Sequence, residues 1–315
     1  MKILIWFRNL RYFVLVNANR PNLWNILKTF LFLIGAFWTI IEFLSFILEG
    51  IPTSVENETY KDILRSWVSN YLWWELGSLL LIAAYYNRTK LINRISINDG
   101  DLEIECKFCD LFDQEGAIVI PIMDTFDTSF DNNLVDSNTL HGQLIQKYYK
   151  DKVHVLDSEI TNSLTRTNQS PVSTDLDLKG KKDKYSVGST AVVEPENKYF
   201  YLTVLTTMTS TGNVTIQSES LVDFLAILWQ FIPTYGKYSK TINIPLIGKG
   251  INRLPPEYTH QRIAQEIANS FITNCKQGTF CSRLRICIYP SDSKFINTDK
   301  IQNYVSHLVK YEFNA

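Results

Sequence analysis

No charge of one sign dominates this chain: 31 Lys and Arg stand against 32 Asp and Glu in 315 residues, a formal net charge of −1. Nucleic-acid binders normally carry a basic excess, so the balance argues against that class. Cysteine is scarce, five in all, which excludes a small disulfide-stapled module and leaves free thiols as the simplest reading for a cytoplasmic domain. Cys106 and Cys109 form one close pair without a second pair or a nearby histidine, so zinc is not expected. Cys275, Cys281 and Cys287 have no regular spacing. A P-loop is missing, and with four histidines no Ser/His/Asp set assembles. What is present is apolar: 45% hydrophobic and 13% aromatic positions exclude a disordered tail and suffice for one or two domains. A mean hydropathy of −0.06 averages two unequal parts.

The first part, residues 1–94, reads as a membrane unit. Thr29 to Leu48 is a twenty-residue stretch with one charge, Glu42, long enough to cross the roughly 30 Å hydrocarbon core. Trp67 to Tyr86 is a second candidate, again with one charge, Glu75; Trp67, Trp73, Trp74, Tyr85 and Tyr86 cluster toward its ends, as at headgroup depth. A cleaved signal peptide fits poorly, because the first run starts far from Met1 and no small-residue cleavage site follows. Lys2, Arg8, Arg11, Arg20 and Lys28 precede the first span, and Arg88, Lys90 and Arg94 follow the second. The connecting loop sets Lys61 and Arg65 against Glu49, Glu56, Glu58 and Asp62. Positive-inside bias then puts both termini in the cytoplasm of a two-pass inner-membrane protein. An ionised acid at mid-bilayer costs about 3 kcal/mol, so Glu42 and Glu75 either assist helix packing or, in an oligomer, line a polar path.

The second part, residues 95–315, reads as a soluble α/β domain. Ile95–Ile97 and Leu102–Phe108 flank Asn98-Asp99-Gly100-Asp101, a hairpin signal. Ala117–Ile122 is a continuous apolar run, as in a strand buried on both faces. Helices are expected over Ser137–Tyr149, capped by Asp136 or Ser137, and over Lys152–Leu164. The polar stretch Arg166–Lys184 reads as a flexible surface loop. Strands over Tyr185–Val193, Lys198–Thr206, Thr241–Leu246 and Arg283–Tyr289 alternate with helices over Glu219–Ile232, Pro256–Thr273 and Thr298–Tyr311. That order implies a sheet with helices on both faces and a ligand crevice at the strands' carboxyl ends.

The most informative stretch is Ile244-Pro245-Leu246-Ile247-Gly248-Lys249-Gly250-Ile251-Asn252-Arg253. Here a strand runs into glycines two apart, and a helix follows. Such a loop either makes a plain tight turn or aims N–H groups at a phosphate, with Arg253 and Lys249 adding charge.

Cys109-Asp110-Leu111-Phe112 followed by Gly116-Ala117-Ile118-Val119-Ile120 resembles the macro-domain pattern of a turn aspartate leading into the first core strand. Gly248-Lys249-Gly250-Ile251 is similar to that fold's pyrophosphate loop, and Tyr185-Ser186-Val187-Gly188-Ser189-Thr190-Ala191 to a strand carrying a small-residue turn. Met123-Asp124-Thr125-Phe126-Asp127-Thr128, Leu140-His141-Gly142 and Pro245-Leu246-Ile247-Gly248 resemble, more closely, the ThsA-type effectors of Thoeris anti-phage defence. In that family a transmembrane hairpin precedes a divergent macro domain.

The resemblance implies a macro-domain-like mixed α/β sheet that binds an ADP-ribose-derived signal, a histidine–ADP-ribose conjugate made by a TIR-domain partner. Binding would trigger homo-oligomerisation and disruption of the lipid bilayer. It gives Asp110, beside Leu111, the adenine amine; Gly248, Lys249, Gly250 and Ile251 the pyrophosphate, continued by Asn252 and Arg253; and Asp124, Phe126 and Asp127 the distal ribose and terminal group. His141 and Gly188 join as ligand contacts. Read without the family, Asp110 is equally an ordinary turn residue; His154, His260 and His307 read as structural or solvated. Macro-domain hydrolases carry asparagine where Ile120 and Met123 stand here, so binding without turnover, and no cofactor, is expected. A membrane-anchored ADP-ribosyl hydrolase is the alternative that Asp124 and Asp127 keep open.

Overall fold

The computed structural model describes all residues except 1, 20–21, 50, 52–58, 98–100, 132–133, 210–213, 217–219, 249–253, 276–277 and 314–315. The chain divides into two compact units, residues 13–90 and residues 91–315 together with 1–12. Helix α1, Lys2–Asn19, contributes to both and lies outside the elements expected from sequence.

In the first unit, α2 (Leu23–Ile47) covers the first expected apolar segment up to its C-cap Leu48, and α3 (Tyr60–Tyr86) contains the second. α3 opens with a capping box: the Thr59 hydroxyl accepts from the Asp62 N–H and the Asp62 carboxylate accepts from the Thr59 N–H at 3.0 Å. Ile41, Val68 and Ala83 are buried, and the Asn87 amide donates to Thr29 Oγ1 at 2.9 Å. Among the described residues one helix, α2, is long and apolar enough to cross a membrane. α3 has the length but is interrupted by Arg65, Ser66, Ser69, Asn70, Glu75 and Ser78. The expected hairpin of two spans is therefore supported for its first helix only.

The second unit is built on one sheet of eight strands. Strands β1 (Ile92–Ile97), β2 (Leu102–Phe108), β3 (Ala117–Met123), β6 (Thr190–Val193), β7 (Phe200–Met208), β9 (Thr241–Pro245) and β10 (Arg283–Ile288) lie in the order β1-β2-β10-β9-β3-β7-β6, with β8 (Val214–Thr215) beside β7. β2, β10, β9, β3 and β7 are mutually parallel, whereas β1, β6 and β8 pair antiparallel. Burial on both sides explains the apolar runs of the central strands. Ile118, Ile120 and Ile122 face a core completed by α4 (Leu140–Tyr148) and α5 (Val153–Arg166) through Leu144, Ile145, Leu156 and Ile160. α6 (Ser220–Tyr235), α7 (His260–Cys275) and α8 (Thr298–Phe313) pack in sequence, with Trp229 against Phe271 at 5.4 Å between ring centres.

Several expectations shift for local reasons. α4 is capped by Thr139, whose Oγ1 accepts from the Gly142 N–H at 3.0 Å, not by Asp136 or Ser137. The stretch Arg166–Lys184 is no plain loop: β4 (Ser173–Thr174) and β5 (Asp183–Lys184) form a small hairpin, and Leu178 between them is buried. The strand expected from Tyr185 begins only at Thr190, because Gly188 at φ +85° turns the chain and Ser189 N–H closes on Ser186 O. α7 starts at His260, after a turn in which the Tyr258 N–H donates to Pro255 O. The 98–100 turn of the first hairpin lies outside the described residues, but its strands pair as expected.

Candidate functional site

Five parallel strands pointing one way bring five carboxyl ends to one side of the sheet, where the backbone leaves the ladder and a crevice opens. A cleft of about 1320 Å³ lies there, larger than the roughly 300–1,000 Å³ of most small-ligand pockets. Each strand contributes the residues at or just past its end: Asp110 and Leu111 after β2, Met123 of β3, Thr206 of β7, Gly248 after β9 and Tyr289 after β10. The facing wall is the segment 134–139 and the start of α4.

Asp110 sits where β2 turns into a 3-10 turn over Leu111–Asp113. Its Oδ1 accepts from the Phe112 N–H at 2.9 Å, and its backbone carbonyl accepts from the Gln114 side-chain amide at 2.7 Å. Gln114 is itself buried and accepts at Oε1 from Lys107 Nζ at 2.9 Å and Arg285 Nη1 at 3.4 Å. Arg285 in turn donates to Glu105 at 2.6 Å and to Asn243 Oδ1 at 3.2 Å. β2, β9 and β10 are aligned so that Glu105, Arg285 and Asn243 stand opposite one another. This chain of charge-assisted bonds fixes the turn that presents Asp110. From α1, Arg8 bridges to Asp113 at 2.5 Å, and the Tyr12 hydroxyl has its pKa raised by burial and then by Asp110.

Across the cleft, Gly142 is required by packing, since a Cβ there would stand 2.2 Å from Asp136 O. The first N–H groups of a helix lack intrahelical acceptors; at α4 the Thr139 cap serves Gly142, and Leu140 and His141 precede it. The His141 ring is buried, and neither ring nitrogen has a hydrogen-bond partner. Burial, reinforced by Lys181 and opposed by Asp157, pushes its pKa down to about 4, so the imidazole is neutral near pH 7.

Of the residues singled out from sequence, the cleft brings together Asp110, Leu111, His141 and Gly248. Lys249, Gly250, Ile251, Asn252 and Arg253 lie outside the described residues. Gly248 holds φ +72°, and Leu254 N–H donates to its carbonyl at 3.0 Å. Asp124, Phe126, Asp127 and Gly188 are not among the cleft's lining residues. Asp124 Oδ1 accepts from the Met208 N–H at 2.8 Å, and burial raises its pKa. Asp127 accepts from Thr125 Oγ1 at 2.6 Å and from the Lys181 N–H at 2.7 Å, tying the β4–β5 hairpin to this turn. Phe126, at φ +50°, packs edge-on against Tyr185. Gly188 meets Ile227, so a side chain there would clash. Their hydrogen bonds and packing are thus spent within the protein.

Residues missed from sequence are Tyr289 and Asp292 beyond β10, Gln143 and Gln146 on α4, and Thr206. The rule that parallel strands present their carboxyl ends to ligand would have pointed to Tyr289. In the other unit, Glu42 is exposed on α2, whereas both carboxylate oxygens of Glu75 are buried without a hydrogen-bond partner.

The family model for the macro domain of Thoeris protein ThsA matches residues 104–289, more than half of the chain, from within β2 to the residue after β10. The chain belongs to the ThsA macro-domain family. Thoeris protein ThsA of Bacillus amyloliquefaciens (strain Y2) is 24% identical over 231 residues, covering 72% of this chain and 76% of that protein. Among solved structures, the Oceanobacillus iheyensis macrodomain with ADP is 12% identical at a TM-score of 0.44, covering 70% of this chain and all of that one. The same macrodomain with MES bound gives a TM-score of 0.45, covering 70% and 99%. The ThsA match runs from residue 104 to Tyr289, so the matched region includes the carboxyl end of every strand that feeds the cleft.

Proposed function

We propose that this chain is a membrane-anchored nucleotide sensor of Thoeris anti-phage defence: its macro domain binds an ADP-ribose-derived signal made by a TIR-domain partner, and the occupied protein assembles and disrupts the bilayer. The observation that carries the reading is the cleft at five strand ends, with Asp110 held rigidly at one side and the start of α4 at the other. An adenine amine needs an acceptor of fixed direction, which a carboxylate on a braced turn supplies. A diphosphate suits the N–H groups of a helix start and a glycine loop. Such a molecule is long, in keeping with a large cleft.

The chain acts by binding rather than turnover. Ile120 is fully buried and Met123 is apolar, and neither side chain orients an attacking water. α2, supported by α3 as a second span, is the element that acts on the membrane, with both termini cytoplasmic. A ligand shifts assembly only by its preference for the assembled state, and a hundredfold preference is worth about 2.7 kcal/mol.

Titration calorimetry of the full chain in detergent, with ADP-ribose and histidine–ADP-ribose, tests this. Wild type binds; Asp110→Ala loses roughly 10- to 100-fold affinity, the worth of a hydrogen bond to a charged group. No heat with either compound overturns the reading, and equal affinity in the variant removes Asp110 from it. Size-exclusion profiles that saturating ligand leaves unchanged count against assembly. Release of product from an ADP-ribosylated substrate would make the chain a hydrolase instead.

A further inference from the structure

α1 has two unlike faces. Arg8 and Tyr12 turn toward the sheet unit: Arg8 bridges to Asp113, and Tyr12 is half-buried and feels the charge of Asp110. Trp6, Phe7, Leu10 and Val14 are exposed, Trp6 by 60% and Phe7 by 58%. Phe7, Leu10 and Val14 follow i, i+3, i+7 spacing and Trp6, Leu10 and Val14 follow i, i+4, i+8, so all four share one stripe. Large apolar side chains in one uncovered stripe mark an interaction surface rather than scattered exposure.

The surrounding charge selects the occupant. The first 41 residues contain five basic side chains, Lys2, Arg8, Arg11, Arg20 and Lys28, and no acid, in a chain whose net charge is −1. Arg11 is exposed beside the stripe. α1 ends at Asn19, and α2, the helix able to cross a membrane, begins at Leu23. Chain connectivity alone therefore keeps the end of α1 near the surface that α2 enters. A basic helix with a Trp-containing apolar stripe is the composition of a segment lying in the headgroup plane.

We propose that α1 is an interfacial helix, its Trp6, Phe7, Leu10 and Val14 stripe immersed in an anionic phospholipid surface and Arg11 among the phosphates. Its opposite face stays on the turn after β2 through the Arg8–Asp113 ion pair. This rests on the reading that α2 spans a bilayer, and the test separates the two.

Spin labels on Leu10→Cys, Val14→Cys, Asn9→Cys and Ile40→Cys variants of the full chain would be read by power saturation in nanodiscs of phosphatidylcholine with and without phosphatidylglycerol. The five native cysteines are buried, and labelling of the unsubstituted chain sets the background. The expected result is labels at 10, 14 and 40 several-fold more accessible to oxygen than to a water-soluble nickel chelate, the reverse at 9. Phosphatidylglycerol should deepen 10 and 14 and leave 40 unchanged. If 40 is lipid-shielded while 10 and 14 are as nickel-accessible as 9, the interfacial helix is overturned and the span stands. If 40 is nickel-accessible, both fall. Dipolar broadening between labels at 10, shielded from both reagents, assigns the stripe to a second copy and overturns the proposal. Depths at 10 and 14 indifferent to phosphatidylglycerol overturn the anionic assignment.

Discussion

The Gln114 side-chain amide donates to the Asp110 carbonyl at 2.7 Å while its oxygen accepts from Lys107 and Arg285. One buried carboxamide thus joins the ion-paired strands to the turn that faces the cleft. Gln114→Met keeps the volume but takes a hydrogen-bond partner from buried Arg285 and from the half-buried Lys107 and Asp110. The variant should lose about 1–3 kcal/mol of stability, seen as a lower denaturant midpoint. It should also weaken adenine-containing ligands in calorimetry, although the side chain itself is not among those lining the cleft. Unchanged affinity at reduced stability would confine Gln114 to a folding role.

Asp127 holds the β4–β5 hairpin through the Lys181 N–H, and Lys181 Nζ adds bonds to Phe126 O at 2.7 Å and to Asp157 at 2.6 Å. Gly180 makes this approach possible, since a Cβ there would sit 2.3 Å from the Asp127 carboxylate. Asp127→Ala should cost about 1.5–3 kcal/mol, the range for hydrogen bonds to a charged group. It should speed tryptic cleavage after Lys179, Lys181 and Lys182. Because Asp127 does not line the main cleft, nucleotide affinity should change little. A large loss of affinity with an intact hairpin would return the residue to the ligand.

His141 gives a pH dependence of definite sign. Its pKa falls from 6.5 in the unfolded chain to about 4 in the folded one. Between those values the unfolded state binds the extra proton, so stability rises with pH through that window and is lost as pH falls from about 6.5 to about 4. The contribution is at most about 3 kcal/mol. His141→Leu should flatten that part of the stability–pH curve, measured as denaturant midpoints across the range. A parallel slope in wild type and variant would assign the acid sensitivity to carboxylates.

Much of the sheet was legible because burial writes itself into sequence: the continuous apolar run Ala117–Ile122 and the short β-type stretches Thr241–Leu246 and Arg283–Tyr289 match β3, β9 and β10 closely. The Asp110 turn and the Leu-His-Gly helix start were found by family resemblance, and both reach the cleft. The turn Asp124–Asp127 lies apart from the main cleft for a physical reason. Two acids and an aromatic near a strand end look available to a ligand, and sequence does not reveal that Met208 and Lys181 N–H groups already occupy them. α1 shows in sequence chiefly as a basic stretch, although its apolar residues recur at helical spacing. The hairpin between 173 and 184 was hidden by its polarity, with Leu178 its one buried apolar anchor between the strands.

The bond from Leu254 N–H to Gly248 O works like the clasp of a necklace. It fastens the two ends of the 249–253 segment to each other, so β9 is anchored independently of what is strung between them. In the sensor proposed above, exchange of those five beads in a relative would recolour the compound being read while the frame beneath kept its shape.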